Sequence, residues 1–485
     1  MNYSIVKRTI GALLIFEGIF FLVPLITAIV YWEEAFFSFL ASIAICVCFG
    51  VLCLLGKNKN QTIYAKEGFV IVALSWIILS IFGAMPFYFS GEISSFIDAL
   101  FETVSGFTTT GATILPSGEA VESLPKSLLM WRSFTHWIGG MGVLVFIMAF
   151  LPLSGAKNMH MMKAESPGPT VGKLVPKVKQ TAKILYTIYA LMTLIQFILM
   201  FCGGMPLFDA ITTAFATAGT GGFSITGDSM AGYSSYLQIV VTVFMFLFSI
   251  NFNAYYLIGK GRWKEVLTTE IKAFLIIVFT AVALITANLL LTNTVDYGYS
   301  FGEALKHTAF TVASLVSTTG FATENFDLWP AFSKTILVFL MFIGACAGST
   351  GGGIKVARVV MLSKGAGHEV GRILHPKKVK KITMDKRVVE HDVVRSLNAY
   401  VIAYILIYIV SMLLISLDGY DFTTNFTSVV ATLNNIGPGL SLVGPAGSFA
   451  FFSDFSKIVY IFDMLAGRLE IFPMLVLFAP ATWRK

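Results

Sequence analysis

The sequence predicts an all-α integral membrane protein of ten transmembrane helices, eight of them in four repeated units. Three observations predict this. The 485 residues are 56% hydrophobic and only 13% charged, with a mean hydropathy of +0.79; a soluble domain carries about 25% charged residues. Apolar runs recur from end to end, each long enough to cross a hydrocarbon core about 30 Å thick. Four glycine-containing segments recur at a period of about 100 residues, the mark of a repeated structural unit. Alternating ten-residue strands are absent, which argues against a transmembrane β-barrel.

The first run follows Lys7 and Arg8 and continues to about Val30. It is too long for a signal-peptide core, and no small-residue cleavage site follows it, so it reads as the first span, 9–31. Glu17 within it is expected to face protein rather than lipid. Further spans are expected over 35–56, 67–90, 129–153, 183–204, 234–258, 271–292, 332–363, 396–417 and 455–480. Segments 1–8, 57–66, 154–183, 259–272, 354–395 and 484–485 hold 28 of the 34 Lys and Arg residues. They alternate with the spans so that both termini fall in the cytoplasm under the positive-inside rule. The net charge of +7 is therefore topogenic and does not point to nucleic acid. The densest basic run, "HPKKVKKITMDKR" (375–387), reads either as a lipid-facing topogenic cluster or as a dock for a cytoplasmic partner. Cys46, Cys48, Cys53, Cys202 and Cys346 lie in apolar segments without C-x-x-C or histidine partners. They read as free, buried, structural thiols rather than zinc ligands.

Four connections on the outer side are too long for tight turns and half apolar: "FIDALFETVSGFTTTGATI" (96–114), "LFDAITTAFATAGTGGFSI" (207–225), "ALKHTAFTVASLVSTTGFAT" (304–323) and "FTTNFTSVVATLNNIGPGL" (422–440). Each begins with about three helical turns and runs into a Thr- or Asn-rich element. Alignment places Gly111, Gly222, Gly320 and Gly437 in register, with Thr109, Thr220, Thr318 and Asn435 two residues earlier. The glycines are separated by 111, 98 and 117 residues. Each unit is thus a helix, a re-entrant half-helix with an extended loop, and a second helix; the first two spans are an additional pair. Irregular backbone at membrane depth is tolerated only where it lines a water-filled cavity. A half-helix entering from outside aims its negative dipole end at the bilayer centre. Glycine lets the following loop turn carbonyls toward a desolvated cation. Four such loops about one axis can replace the hydration shell of a potassium-sized ion. The Thr hydroxyls can brace the loops or add oxygens.

The motifs "TTTGAT" (108–113), "GTGGFS" (219–224), "STTGFAT" (317–323), "ATLNNIGPGL" (431–440), "AGSTGGGIK" (347–355) and "GRLEIFP" (467–473) make the whole chain resemble the Trk/Ktr/HKT superfamily of cation transporters, TrkH-type membrane subunits in particular. The resemblance implies four pseudo-symmetric M1–P–M2 units around one pore plus the N-terminal helix pair. Here these would be 1–62 (pair), 63–160, 161–265, 266–375 with a broken M2 helix, and 376–485. It also implies potassium uptake across the bacterial inner membrane, a homodimer, membrane lipid as surroundings, and regulation by a cytoplasmic nucleotide-binding ring of the TrkA type, with no organic cofactor on this chain. The family's filter glycines match Gly111, Gly222, Gly320 and Gly437. In some plant relatives a serine replaces the first, and sodium is favoured; glycine here implies potassium. The ion-binding oxygens would come from Thr109, Thr110, Thr220, Gly221, Thr318, Thr319, Asn435 and Ile436. Gly221 and Ile436 stand where Thr110 and Thr319 stand in the other units, so ligation is expected to be uneven.

The stretch "GACAGSTGGGIK" (344–355) interrupts the second helix of the third unit. Gly348, Gly351, Gly352 and Gly353, with Ser349 and Thr350, disfavour a continuous helix; the family implies a loop here that obstructs the pore. A phosphate-binding P-loop needs G-x-x-x-x-G-K-[ST], but Ile354 separates Gly353 from Lys355, and Val356 follows. Lys355 is expected near the cytoplasmic mouth, facing the pore or anchoring the interface. Arg468, inside the last span, must face protein or water. Its position favours a fixed charge beside the ion path over a pair with Glu470 or Asp463, because Glu470, two residues on, lies on another helix face. His136 reads as a packed or interfacial residue near the outer face, not a proton relay, and Gly139, Gly140 and Gly142 as sites of close helix packing. A membrane-embedded transferase would need paired acids or a nucleophile–histidine set; Asp98, Asp209 and Glu303 instead track the repeats. A proton- or sodium-coupled symporter on the same four units remains open in the sequence.

Overall fold

The computed structural model describes residues 1–55, 65–116, 119–142, 178–292, 298–375, 381–385 and 387–483. The basic segments 57–64 and 154–177, residues 376–380 and 386 of the basic run, the second half of the 129–153 span and the unit boundaries at 62/63 and 160/161 lie outside them. Among the described residues six helices are long and apolar enough to cross a bilayer: Tyr3–Tyr31, Phe36–Leu54, Lys66–Phe89, Gln180–Cys202, Thr269–Thr292 and His391–Asp418. Ile26, Phe37, Ile276, Phe279, Ile402 and Leu413 stand exposed on their outer faces, an arrangement that water penalises and lipid accepts. A hairpin of two-residue strands, Thr383–Met384 with Arg387–Val388, and an isolated bridge between Ile343 and Ile354 are the β-structure among the described residues.

In chain order the first helices are α1 (Tyr3–Phe20), α2 (Leu22–Tyr31) and α3 (Phe36–Leu54). α1 and α3 cross at two glycines: a Cβ on Gly11 would lie 2.7 Å from the Gly50 carbonyl oxygen, and one on Gly50 2.9 Å from that of Gly11. Small residues at such crossings permit the close packing that drives helix association in lipid. Glu17 on α1 is fully buried and faces protein, beside Gly83.

Four sets follow. The first is α4 (Ala65–Gly83), α5 (Phe96–Phe107) and α6 (Lys126–Gly140). The second is α7 (Val178–Cys202), α8 (Leu207–Gly219), α9 (Ser235–Phe248) and α10 (Phe252–Gly259). The third is α11 (Thr269–Thr292), α12 (Phe301–Val316), α13 (Ala331–Phe342) and α14 (Val356–Leu374). The fourth is α15 (His391–Ile415), α16 (Phe422–Leu433), α17 (Asp454–Arg468) and α18 (Phe472–Phe478). Ser95, Ser300 and Asp421 start three of the short helices by accepting from the amides of Asp98, Glu303 and Thr424; Ser300 and Glu303 form a complete capping box. The same serine donors hold the exposed Glu303 carboxyl below its ordinary range. Contacts between sets close a ring. α6 packs on α8, α9 on α12, α13 on α16, and α17 on α5.

Three expected spans differ from single helices. The 234–258 span is α9 and α10 meeting at 92°, with Asn251 in the bend accepting from the Asn253 amide at 2.8 Å. The 332–363 span is interrupted between Phe342 and Val356. The 455–480 span, expected to be continuous, breaks after Arg468, where Glu470 (φ 55°) and Ile471 (φ 69°) take left-handed conformations. A β-branched residue there is a rare outlier; Ile471 is fully buried and its amide bonds to the Ala466 carbonyl at 2.7 Å, so tertiary packing holds it. The cysteines are free, but only Cys46 and Cys346 are buried; Cys48 and Cys202 are exposed on apolar outer helix faces, where burial had been expected.

Candidate functional site

The ends of α5, α8, α12 and α16 share one backbone design. Thr109, Thr220, Thr318 and Asn435 take φ of 56°, 54°, 60° and 54°. Their amides bond to the carbonyls of Gly106, Thr217, Leu315 and Thr432, and the amides of Thr110, Gly221, Thr319 and Ile436 reach Ser105, Ala216, Ser314 and Ala431. That pair of bonds is the Schellman helix terminus. Its left-handed position ordinarily takes glycine; three threonines and an asparagine here carry strain of about 1–3 kcal/mol each, of the kind stored at functional sites.

The glycine two residues later has positive φ in every copy: 79°, 75°, 86° and 98° at Gly111, Gly222, Gly320 and Gly437. A Cβ on Gly111 would lie 1.9 Å from the Gly221 carbonyl oxygen, one on Gly222 1.9 Å from that of Thr319, one on Gly320 2.2 Å from that of Ile436, and one on Gly437 2.8 Å from that of Thr110. Each glycine thus abuts a carbonyl of the next unit, and the fourth returns to the first. The four glycines line one outer cavity together. The Thr110 and Thr319 hydroxyls are tied back to Thr108 and Ser317 at 2.8 and 2.6 Å, so they brace the loops. Asn435 Nδ2 bonds to Thr110 Oγ1 at 3.0 Å and to the Met464 carbonyl at 2.9 Å.

Beneath this ring lies the interrupted segment. Gly352 N donates to Thr318 Oγ1 at 2.6 Å. Thr350 Oγ1 donates to the Phe248 carbonyl at 3.2 Å. Arg468 Nη1 donates to Thr109 Oγ1 at 3.1 Å and to the Thr350 carbonyl at 2.8 Å; Nη2 donates to the carbonyls of Gly139 and, at 3.0 Å, Gly140. Arg468 therefore joins a ring loop, the interrupted segment and α6 from below. Lys355 was expected near the cytoplasmic mouth, facing the pore or anchoring the interface. It is buried, and its Nζ donates to the carbonyls of Gly351 and Gly352, because a broken helix leaves carbonyls that need donors. Gly348 and Gly353 have positive φ within the non-helical segment that runs from Ile343 to Lys355. Trp76, Gly140, Lys355, Arg468 and Glu470 line a second cavity below.

Four further side chains contribute, of which Glu102 and Glu270 lay outside the sequence reading. Glu270 on α11 accepts from the amides of Ala347 at 2.6 Å and Ala357 at 3.1 Å, clasping both sides of the interruption. Glu470 pairs with Arg358 of α14, whose guanidinium lies 4.0 Å over the Tyr400 ring. Glu102 on α5 pairs with Arg132 on α6 at 2.8 Å. His136, read from the sequence as a packed or interfacial residue, is fully buried between Gly106 and Phe223. The available signal was charge: Glu102 and Glu270 are acids inside mostly apolar helices. Replacing Glu270 by alanine strands two buried amides, each costing about 1–3 kcal/mol. The expected result is faster labelling of the buried Cys346 by a thiol reagent, at least about tenfold over the parent; an unchanged rate would show that the segment holds without Glu270.

Comparison with known proteins bears on this arrangement. The profile of the TrkH family, described as "Cation transport protein", matches residues 35–485. The chain is 37% identical to the Trk system potassium uptake protein TrkH of Salmonella typhimurium and 36% identical to that of Escherichia coli K12, with 100% of both chains covered in each case. The crystal structure of the potassium transporter TrkH from Vibrio parahaemolyticus superposes with a TM-score of 0.89 at 33% identity, again over 100% of each chain.

Proposed function

The chain belongs to the TrkH family of cation transport proteins, and from that premise we propose that it takes up potassium across the bacterial inner membrane through one central pore. It is a transport protein, not an enzyme. The observation that carries the reading is the closed ring, in which Gly111, Gly222, Gly320 and Gly437 each meet a carbonyl of the next unit. Such a ring can substitute for the hydration shell of a potassium ion. In this reading the four helix sets are M1–P–M2 units, 63–160, 161–265, 266–375 and 376–485, after the pair 1–62. The carbonyls at Thr109, Thr110, Thr220, Gly221, Thr318, Thr319, Asn435 and Ile436 bind the ion, and the four P helices aim their negative dipole ends at it. Residues 348–353 with Lys355 and Arg468 form the gate. Both termini face the cytoplasm, the functional unit is a homodimer, and a TrkA-type nucleotide-binding ring acts on the gate from the cytoplasmic side. The test is growth of a potassium-uptake-deficient bacterium on low potassium. Rescue is expected when the chain is expressed with its matched regulator; failure despite confirmed membrane expression would count against potassium uptake.

Arg468 sets the resting state. Its charge sits under the ring and its bonds hold Thr350 across the path, so it repels an entering cation and pins the gate at once. Arg468→Ala is expected to raise basal potassium flux in liposomes without regulator by about tenfold, the effect of removing about 1.4 kcal/mol of barrier, while potassium stays preferred over sodium. Unchanged basal flux would reject the charge barrier.

A further inference from the structure

The ring is uneven in units 2 and 4, and in unit 2 the unevenness has an owner. In units 1 and 3 the filter loop is clasped by two hydroxyls, Thr108 with Thr110 and Ser317 with Thr319. At both corresponding positions unit 2 has glycine, Gly219 and Gly221. The space is filled from another unit. A Cβ on Gly221 would lie 2.2 Å from Cγ and Nδ1 of His136, and one on Gly219 2.2 Å from the His136 carbonyl oxygen. His136 belongs to α6 of unit 1.

Its hydrogen bonds fix its chemical form. The Phe223 amide donates to Nε2 at 3.2 Å. A backbone amide only donates, so Nε2 is the acceptor and the ring proton sits on Nδ1, facing the Gly106 carbonyl at 2.8 Å. The imidazole also lies against the Phe223 ring, centroids 4.3 Å apart. One neutral side chain therefore connects the end of the unit 1 pore helix to the residue that follows Gly222. The Gly221 carbonyl that it backs is the one facing Gly111.

We propose that His136 is a specificity-determining positioning residue: it supplies from unit 1 the brace that the unit 2 filter loop lacks, and so sets where the Gly221 carbonyl stands in the ring. This rests on the filter reading above. Selectivity would then be shared between units, with the unit 2 oxygens placed by a residue 85 positions upstream of Gly221.

The test compares potassium and sodium fluxes through purified protein in liposomes. His136→Ala is expected to lower the potassium-to-sodium flux ratio at least about fivefold while potassium flux persists. His136→Phe, which keeps the ring volume and loses both hydrogen bonds, is expected to lower it in the same direction and covers the case in which the alanine variant does not fold. His136→Ala with Gly221→Ser returns a hydroxyl side chain to the vacated space and is expected to recover at least half of the lost ratio. A parent-like ratio in His136→Ala or His136→Phe, with both ions slowed alike, would overturn the proposal, as would a double variant no better than His136→Ala. Gly111→Ser in the same liposomes separates the two readings: an unchanged ratio there takes Gly111 out of the filter and so counts against the filter reading, whereas a changed ratio there with a parent-like ratio at His136 removes only the role of His136.

Discussion

Arg132→Ala is expected to leave little folded protein, and pairing Arg132→Met with Glu102→Gln is expected to recover much of it. Arg132 and Glu102 are 3% and 1% exposed and meet at 2.8 Å. The carboxylate also accepts from Thr113 Oγ1 at 3.0 Å and from the Ile114 amide at 3.0 Å. Arg132 reaches the Ser224 carbonyl at 3.1 Å and lies 4.1 Å over the Phe223 ring. The pair thus fastens the strands just beyond Gly111 and Gly222. Removing one partner strands the other charge in a buried site, at a cost of up to about 3–5 kcal/mol, a large share of the 5–15 kcal/mol that typically holds a folded state. Removing both charges avoids that penalty. Glutamine keeps an acceptor for Ile114, and methionine fills the volume of the arginine stem. Thermal unfolding in detergent, followed by the monodisperse fraction, measures this. The double variant should lie closer to the parent than either single one; costs that simply add would show that the two charges do not depend on each other.

The same ion pair marks where the sequence ran out. Six of the apolar spans, the N-terminal pair among them, and the fourfold glycine register depend on local composition and period, and they are legible. So is the interruption at residues 348–353, since four glycines and two short polar residues remove helix propensity where they stand. The break at Glu470–Ile471 is not legible. Neither residue favours positive φ; packing around the buried Ile471 imposes it. Lys355 was read as lying near the cytoplasmic mouth, with a pore-facing role and an interface anchor both left open. Its burial against Gly351 and Gly352 follows from carbonyls that exist only once the helix has broken. Gly221 reads in the sequence as a weakened ligand position. The cause is His136, which a comparison of units taken one at a time does not meet. Ring closure, the Glu102–Arg132 pair and the Glu270 clasp are contacts between distant parts of the chain, and periodicity carries no information on them.

Gly111→Ser is expected to move the transporter from potassium toward sodium, with the flux ratio falling about tenfold or more. Gly111 has φ 79°, and its added Cβ would stand 1.9 Å from the Gly221 carbonyl oxygen. No rotamer relieves a clash between a Cβ and backbone, so the carbonyl itself must move. It cannot retreat along its own strand, because His136 fills the space behind Gly221. The ring therefore loses a ligand position instead of relaxing around the change, and a filter that no longer fits potassium loses its preference for it. The geometry also ranks the four sites. The clearance is 1.9 Å at Gly111 and Gly222, 2.2 Å at Gly320 and 2.8 Å at Gly437, so serine at Gly437 should be the mildest of the four and retain most of the potassium preference. Potassium and sodium fluxes through the four single variants decide this. An unaltered ratio in Gly111→Ser would take that glycine out of the filter. Gly437→Ser as damaging as Gly111→Ser would show that conformational strain, present at all four positive-φ positions, outweighs the carbonyl clash.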